Sequence, residues 1–390
     1  MDKRITTFNV AIAAAISLAG VVHGASAAQP GVSQHGAVTK YASPGGRFPH
    51  GASIDFVNAK PMTLPRAFGT SQQAAQDRLI QALMSPQRGG KPAFFPGRDG
   101  DGKESAVFLG TPVAAALVDE EIVPQQHGTT GHPFTTVRAD AFQGSTNKQF
   151  PFRASGKLFF NIGPDTFVCS ASLIKRGIVV TAAHCVIEFG GSFYSNWVFV
   201  PGYRNGNAPY GTWSGTTAAV LTTYANGTDR CAVPGVVCRN DVGVIRLAPQ
   251  AGQFPGTQTG FYGFGVNGFG FASGLTHVTQ IGYPVCLDNG SRMERNDSYG
   301  YVDGALSSNT IIGSLMCGGS SGGPWVLNFG KPATRTGTTQ GTDATPNLVV
   351  GVTSWGYVSS APKEQGASPF TSGNIGVLAP FLCGGTPNPC

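Results

Sequence analysis

Charge is scarce in this 390-residue chain: Asp, Glu, Lys and Arg together make up 12% of it, and the net +6 is spread without any Lys or Arg run. A phosphate-tracking stripe needs clustered cations, so no nucleic acid is expected as a partner. Cysteine is absent before Cys169, which denies the upstream part any disulfide, and histidine is absent after His277. Beyond the first 27 residues no apolar run reaches transmembrane length, so no membrane attachment is expected once they are removed.

Those first 27 residues have the pattern of an export signal. Lys3 and Arg4 precede an apolar stretch at 10–22, and the small residues Ala25, Ser26 and Ala27 follow, with cleavage expected after Ala27. Eight cysteines, an even number, agree with a secreted chain, extracellular or periplasmic, whose thiols are oxidised in pairs. Eight cysteines allow 105 connectivities, and sequence does not choose among them. Cys231 and Cys238 are too far apart for a zinc knuckle and no histidine sits beside them, so no metal and no cofactor is expected.

With 56 Gly and 27 Pro, the composition favours a turn-laden all-β protein. Residues 28–150 differ in texture from the rest and contain one clear helix pattern, 71–85, opened by Thr70 and Ser71 and stopped by Pro86. This reads as a pro-segment rather than a second catalytic unit. From 151 to 390, short apolar runs at 157–162, 177–182, 196–200, 242–247, 277–282 and 348–355 alternate with turn residues. Such spacing suits one large β domain or two small barrels with a cleft between them.

Three segments carry chemistry. His184 follows the strand-like Ile178, Val179 and Val180, at a strand end where an imidazole can face a cleft and act as a base. Asp241 opens the apolar run 242–247; a carboxylate buried there needs donors, and an imidazole Nδ1 hydrogen is a suitable one. Glycines flank Ser321 on both sides, so the backbone can turn tightly enough for the amides of Gly319 and Ser321 to converge on an oxyanion. Buried-looking neighbours, Leu315, Met316 and Trp325, argue against a Gly/Ser linker.

Together these segments resemble the trypsin/chymotrypsin-like serine peptidases, and more closely their bacterial V8-like, glutamyl endopeptidase-type branch. The matching pieces are CSASLI at 169–174, TAAHC at 181–185, NDVGVIRL at 240–247, GSSGGP at 319–324 and TSWG at 353–356, over the last three fifths of the chain. The resemblance implies two antiparallel β-barrels, with His184 and Asp241 on the first and Ser321 on the second. It implies proteolysis of protein or peptide substrates through a Ser-His-Asp triad and an acyl-enzyme, by a monomer. It also implies a Cys169–Cys185 disulfide, and family geometry with sequence proximity suggests Cys231–Cys238, Cys286–Cys317 and Cys383–Cys390.

GxSxG at 319–323 also fits the esterase elbow, but that class needs a histidine after the serine and none is there. GFGVNG at 263–268 fits a dinucleotide loop without a helix to receive it, and the acidic run Asp99, Gly100, Asp101, Gly102 lacks the calcium ligands that should follow. A protease-shaped binding protein without activity is the alternative from another class.

For specificity, the family position that carries Asp in trypsin-like members is Leu315. Where glutamate-specific members carry histidine and a hydroxyl, this chain has Thr353 and Met316. A pocket of Leu315, Met316 and Gly356 is expected to take an uncharged residue. Ser354 is expected to support Asp241, and the extended stretch Thr353, Ser354, Trp355, Gly356 to pair with substrate backbone. Ser320 stands where animal members carry the acid that binds a freed amino terminus. The pro-segment, ending between Thr129 and Arg153, is therefore expected to act as inhibitor or folding aid.

Overall fold

Gly163 and Pro164 make the hairpin that opens the first barrel. Gly163 takes φ +58, the left-handed conformation that a two-residue hairpin turn needs at its first position. β1 (Ser155–Ile162) thereby folds back on β2 (Asp165–Lys175), with Ile162 opposite Asp165 and Leu158 opposite Cys169. This computed structural model describes residues 29–43, 53–67, 93–113, 133–140, 144–268, 275–303, 306, 308–331, 345–357 and 363–390. The helix expected at 71–85 and the export signal lie outside the described residues.

β3 (Ile178–Thr181), β4 (Ser195–Pro201), β5 (Trp213–Leu221) and β6 (Gly243–Leu247) complete the first sheet. It runs β1-β2-β3-β6-β5-β4 and returns to β1, a closed six-stranded antiparallel barrel. The second barrel uses β7 (Leu275–Gly282), β8 (Glu294–Asp303), β9 (Asn309–Gly313), β10 (Pro324–Leu327), β11 (Leu348–Tyr357) and β12 (Glu364–Pro369). Its order is β7-β8-β9-β12-β11-β10, and β10 closes on β7. Closure leaves neither sheet with a free edge within its own six strands. The six apolar runs expected as strands lie in β1, β3, β4, β6, β7 and β11.

Leu158, Leu173, Val179, Trp197 and Ile245 fill the first barrel, and Val278, Ile312, Trp325 and Val350 the second. Val326, Val349 and Val352 belong to the same buried cluster as the first barrel's core, so the seam between barrels is itself packed apolar. A helix α1 (Ile375–Phe381), capped by the Asn374 side chain accepting from Ile375 N, lays Ile375, Leu378 and Ala379 on the first barrel.

The upstream residues are strung along both barrels by strand addition. Val38–Ala42 pairs with β5, Ala93–Phe95 with Gly263–Val266, and Phe134–Arg138 with β8. Lys60–Pro61 runs parallel to β2, and Arg66–Ala67 parallel to β11.

Candidate active site

β3 ends at Thr181, whose hydroxyl donates to Ser170 O (3.0 Å) on the neighbouring β2. The chain then enters a single 3₁₀ turn, Ala183–Cys185, that holds His184 at the barrel's mouth. The Cys169–Cys185 disulfide ties that turn to β2. β6 begins beside it: a Cβ on Gly243 would lie 2.9 Å from Val186 Cγ2, so glycine lets the strand press close. Two residues earlier, Asp241 is thereby brought onto His184.

The Asp241 carboxylate, 2% exposed, accepts three hydrogen bonds. His184 N donates to Oδ1 (2.9 Å), while His184 Nδ1 (2.8 Å) and Ser354 Oγ (2.5 Å) approach Oδ2. Burial pushes this carboxyl up, but the His184 charge and the His184 and Ser354 hydrogen bonds outweigh it, leaving Asp241 below its usual 3.8. Its own amide donates to Ser368 Oγ (2.9 Å), which donates on to Cys238 O (2.8 Å). Burial first, then the Asp241 charge, raises the Tyr224 phenol, which stays protonated nearby.

Ser321 lies on the loop between β9 and β10, fully buried. Ser170 N donates to Ser321 O (2.7 Å), Gly322 N to Thr353 O (2.7 Å) and Thr353 N to Gly323 O (2.9 Å). Gly322, at φ +78, packs so closely that a Cβ would run into Thr181 Oγ1 and Ser170 O. The loop is thus fastened to β2, to the end of the strand that carries His184, and to the residue before Ser354. His184 Nε2 and Ser321 Oγ are both buried and have no hydrogen-bond partner among the described residues. Catalytic hydrogen bonds in unliganded sites often tighten only when substrate arrives.

Beneath the loop runs a neutral network that the sequence did not reveal. Ser314 Oγ donates to Gln280 Oε1 (2.8 Å); Gln280 Nε2 donates to Thr353 Oγ1 (2.8 Å) and Gln365 Oε1 (2.5 Å). Gln365 Nε2 donates to Met316 O (2.6 Å). Thr353, expected to meet substrate, therefore has its hydroxyl committed to the barrel interior, where Trp325 Nε1 also donates to it (3.0 Å). Trp355 likewise donates inward, to Asn309 Oδ1 (2.8 Å). Leu315 is half-buried with its amide on Thr136 Oγ1 (3.3 Å), Met316 is buried, and the Gly356 amide donates to Pro65 O (2.9 Å). Gln280 stands between Val278 and Ile281 on β7, but Thr276, His277 and Thr279 share that strand, so its polarity gave no distinct signal for the network.

The other disulfides join Cys231 to Cys238, Cys286 to Cys317 and Cys383 to Cys390. Among the described residues, two groups come within coordinating reach, Cys169 with His184 and Cys185, and Asp229 with Cys231 and Cys238. Both depend on cysteines held in disulfides, which offer no thiolate.

Two closed antiparallel barrels, with a histidine–carboxylate pair on one and a glycine-flanked serine on the other, define a chymotrypsin-like protein. The trypsin family model matches residues 142–372, more than half of the chain, and the chain belongs to that family. Membership supports a proteolytic function. The chain is 30% identical over 122 residues to the extracellular metalloprotease of Bacillus subtilis (strain 168), covering 31% of this chain and 35% of the relative, so it spans about a third of that relative's length. Protease Anisep from Arthrobacter nicotinovorans is 27% identical, with 57% of this chain and 92% of the other covered at a TM-score of 0.46. A Glu endopeptidase solved with MPD is 19% identical, with 67% and 97% covered at a TM-score of 0.43.

Proposed function

We propose that this chain is a secreted serine endopeptidase that cleaves peptide bonds through an acyl-enzyme on Ser321. The observation that carries the reading is the His184 imidazole, clamped by Asp241 at Nδ1 while its buried Nε2 is unpaired beside a loop whose Ser321 hydroxyl is also unpaired. In this mechanism His184 takes the Ser321 proton and delivers it to the leaving amine. Asp241 holds the tautomer and steadies the imidazolium. The amides of Gly319 and Ser321 stabilise the oxyanion, each such donor contributing about 3 kcal/mol. Water then releases the acyl group by the same steps in reverse order.

Ser321→Ala is expected to lower turnover by several orders of magnitude while the unfolding midpoint stays within a few degrees of the parent. Near-normal peptide hydrolysis by the purified variant would sink the assignment, and failure of a fluorophosphonate to label Ser321 in an uninhibited form would favour a binding protein instead.

The Met316 carbonyl, beside Leu315, accepts from the neutral Gln365 amide, which is in turn bonded to Gln280, and this supports cleavage after uncharged residues. A peptide-library profile dominated by charged residues at the cut would overturn this. The strand Phe134–Arg138 pairs with β8 and its Thr136 holds Leu315, which supports maturation ahead of Phe134. Amino-terminal sequencing of the secreted form reads this directly.

A further inference from the structure

Residues 53–67 cross the site from one barrel to the other. Asp55 N donates to Thr166 Oγ1 (3.0 Å) and the Phe56 ring meets Phe159 edge-on at 5.0 Å, anchoring the segment on the β1–β2 hairpin. Lys60–Pro61 then runs parallel to β2, and Met62 N donates to Val168 O (2.8 Å), next to Cys169. At the centre, Gly319 N donates to Met62 O (3.2 Å), so the carbonyl of Met62 holds the amide assigned above to the oxyanion. Beyond it, Leu64 is 5% exposed and packs on Gly356, where a Cβ would lie 2.8 Å from Leu64 Cδ2. Gly356 N donates to Pro65 O (2.9 Å), and Arg66–Ala67 continues parallel to β11.

The direction of this segment matters more than its presence. His184 must protonate the leaving amine, so the part of a substrate that follows the scissile bond departs on the side of His184 and the Cys169–Cys185 disulfide. The part that precedes it lies along Ser354, Trp355 and Gly356. Here the residues before Met62 lie beside Cys169, and those after it lie on Gly356. Attack on the Met62 carbonyl would put the leaving nitrogen, Thr63 N, on the Gly356 side, away from His184. That nitrogen could not be protonated and would re-form the bond.

The geometry points to residues 60–67 as a built-in inhibitor that fills the catalytic cleft backwards, with Met62 O on the Gly319 amide and Leu64 against Gly356, and that the site cannot cut. This rests on the peptidase reading for its consequence, but its geometry can be tested without activity.

The experiment uses the full chain, as wild type and as Leu64→Asp, which places a charge in an apolar contact and should release the segment. Hydrogen exchange at the Gly319, Gly356 and Met62 amides is read against the Gly322 and Thr353 amides, whose partners lie within the second barrel's own loop and strands. In the wild type the first three are expected to be protected, and in Leu64→Asp to lose at least about 10-fold of that protection while the reference pair keeps its own. Fluorophosphonate labelling of Ser321 is expected to be about 10- to 100-fold faster in Leu64→Asp, as the competent population rises. A synthetic peptide of residues 59–68 should slow that labelling and be recovered intact.

Unprotected Gly319 and Gly356 amides in the wild type overturn the proposal, as does labelling at equal rates in both chains. Cleavage of the peptide between Met62 and Thr63 overturns the backward direction. Protection and its loss as expected, with no labelling in either chain, would uphold the segment's position and overturn the peptidase reading instead.

Discussion

Asp241 has little freedom to change. Its Oδ1 accepts the His184 amide and its Oδ2 both the His184 ring and Ser354, so an asparagine in its place must turn an NH₂ toward one of these donors. Asp241→Asn is expected to lower kcat by about 10⁴-fold with the fold retained, because the wrong imidazole tautomer is then favoured. Ser354→Ala removes one of the bonds that lower the Asp241 carboxyl. A group whose folded pKa lies below its unfolded value contributes stability above the unfolded value, here 3.8, and that contribution is lost as pH falls through the folded one. Acid unfolding of Ser354→Ala should therefore begin at higher pH than that of the parent, read from thermal midpoints across the acid range. An unchanged acid limb would show that this hydroxyl does not steady the carboxylate. At this scale His184, Asp241, Ser321 and Ser354 all stand in short motifs, and the structure brings His184 and Ser354 onto the Asp241 carboxylate. Ser368, which receives the Asp241 amide from 127 residues away, had no local signature at all.

Strand Phe134–Arg138 is added to the second barrel beside β8, and it holds Leu315 from outside. Thr136 Oγ1 donates to Asn296 Oδ1 (2.6 Å) on β8 in a buried bond and accepts from the half-buried Leu315 N. Thr136→Val keeps the shape and strands both partners, at a cost of about 1–3 kcal/mol. With Leu315 loosened, KM is expected to rise several-fold and kcat to change less, a split that steady-state kinetics on a peptide substrate measures. Strands also mark where reading by pattern failed. β8 begins with Glu294, Arg295, Asn296 and Asp297, yet Glu294, Asn296 and Ser298 are buried: they alternate on one face of a strand that is paired on both sides, by β7 and by Phe134–Arg138, and Asn296 stands opposite the buried Gln280. β12 carries Glu, Gln, Gly, Ala, Ser and Pro, poor strand formers, and is a strand because β9 and β11 pair with it on either side. Strand propensity is largely the record of such neighbours.

Across the whole molecule, upstream residues meet the barrels through charge as well as strand pairing. Arg138 pairs with Asp288, and Asp140 with Arg204 and Arg292. Next to them Glu294, 2% exposed, is pushed up to about 8, by burial first and then by the Asp288 hydrogen bond and charge. A carboxyl raised above its usual 4.5 contributes stability fully present below that value and lost as pH rises through about 8. Glu294→Gln keeps a neutral donor, so the decline in unfolding free energy over that window, up to about 1.4 kcal/mol per pH unit, should flatten. Denaturant unfolding from acid to mildly alkaline pH would sink this if parent and variant ran parallel. The sequence by itself determined the family, the candidate triad residues and six of the twelve barrel strands, because each is written in a contiguous run whose residue types need no distant partner to be recognised. Only the tertiary structure decided that Gln280, Gln365 and Ser368 support the site, that a polar run becomes a buried strand, and that residues 60–67 lie in the cleft in the reverse sense. These depend on which segments meet across the seam between the barrels, and on the direction in which they meet, and no local pattern encodes either.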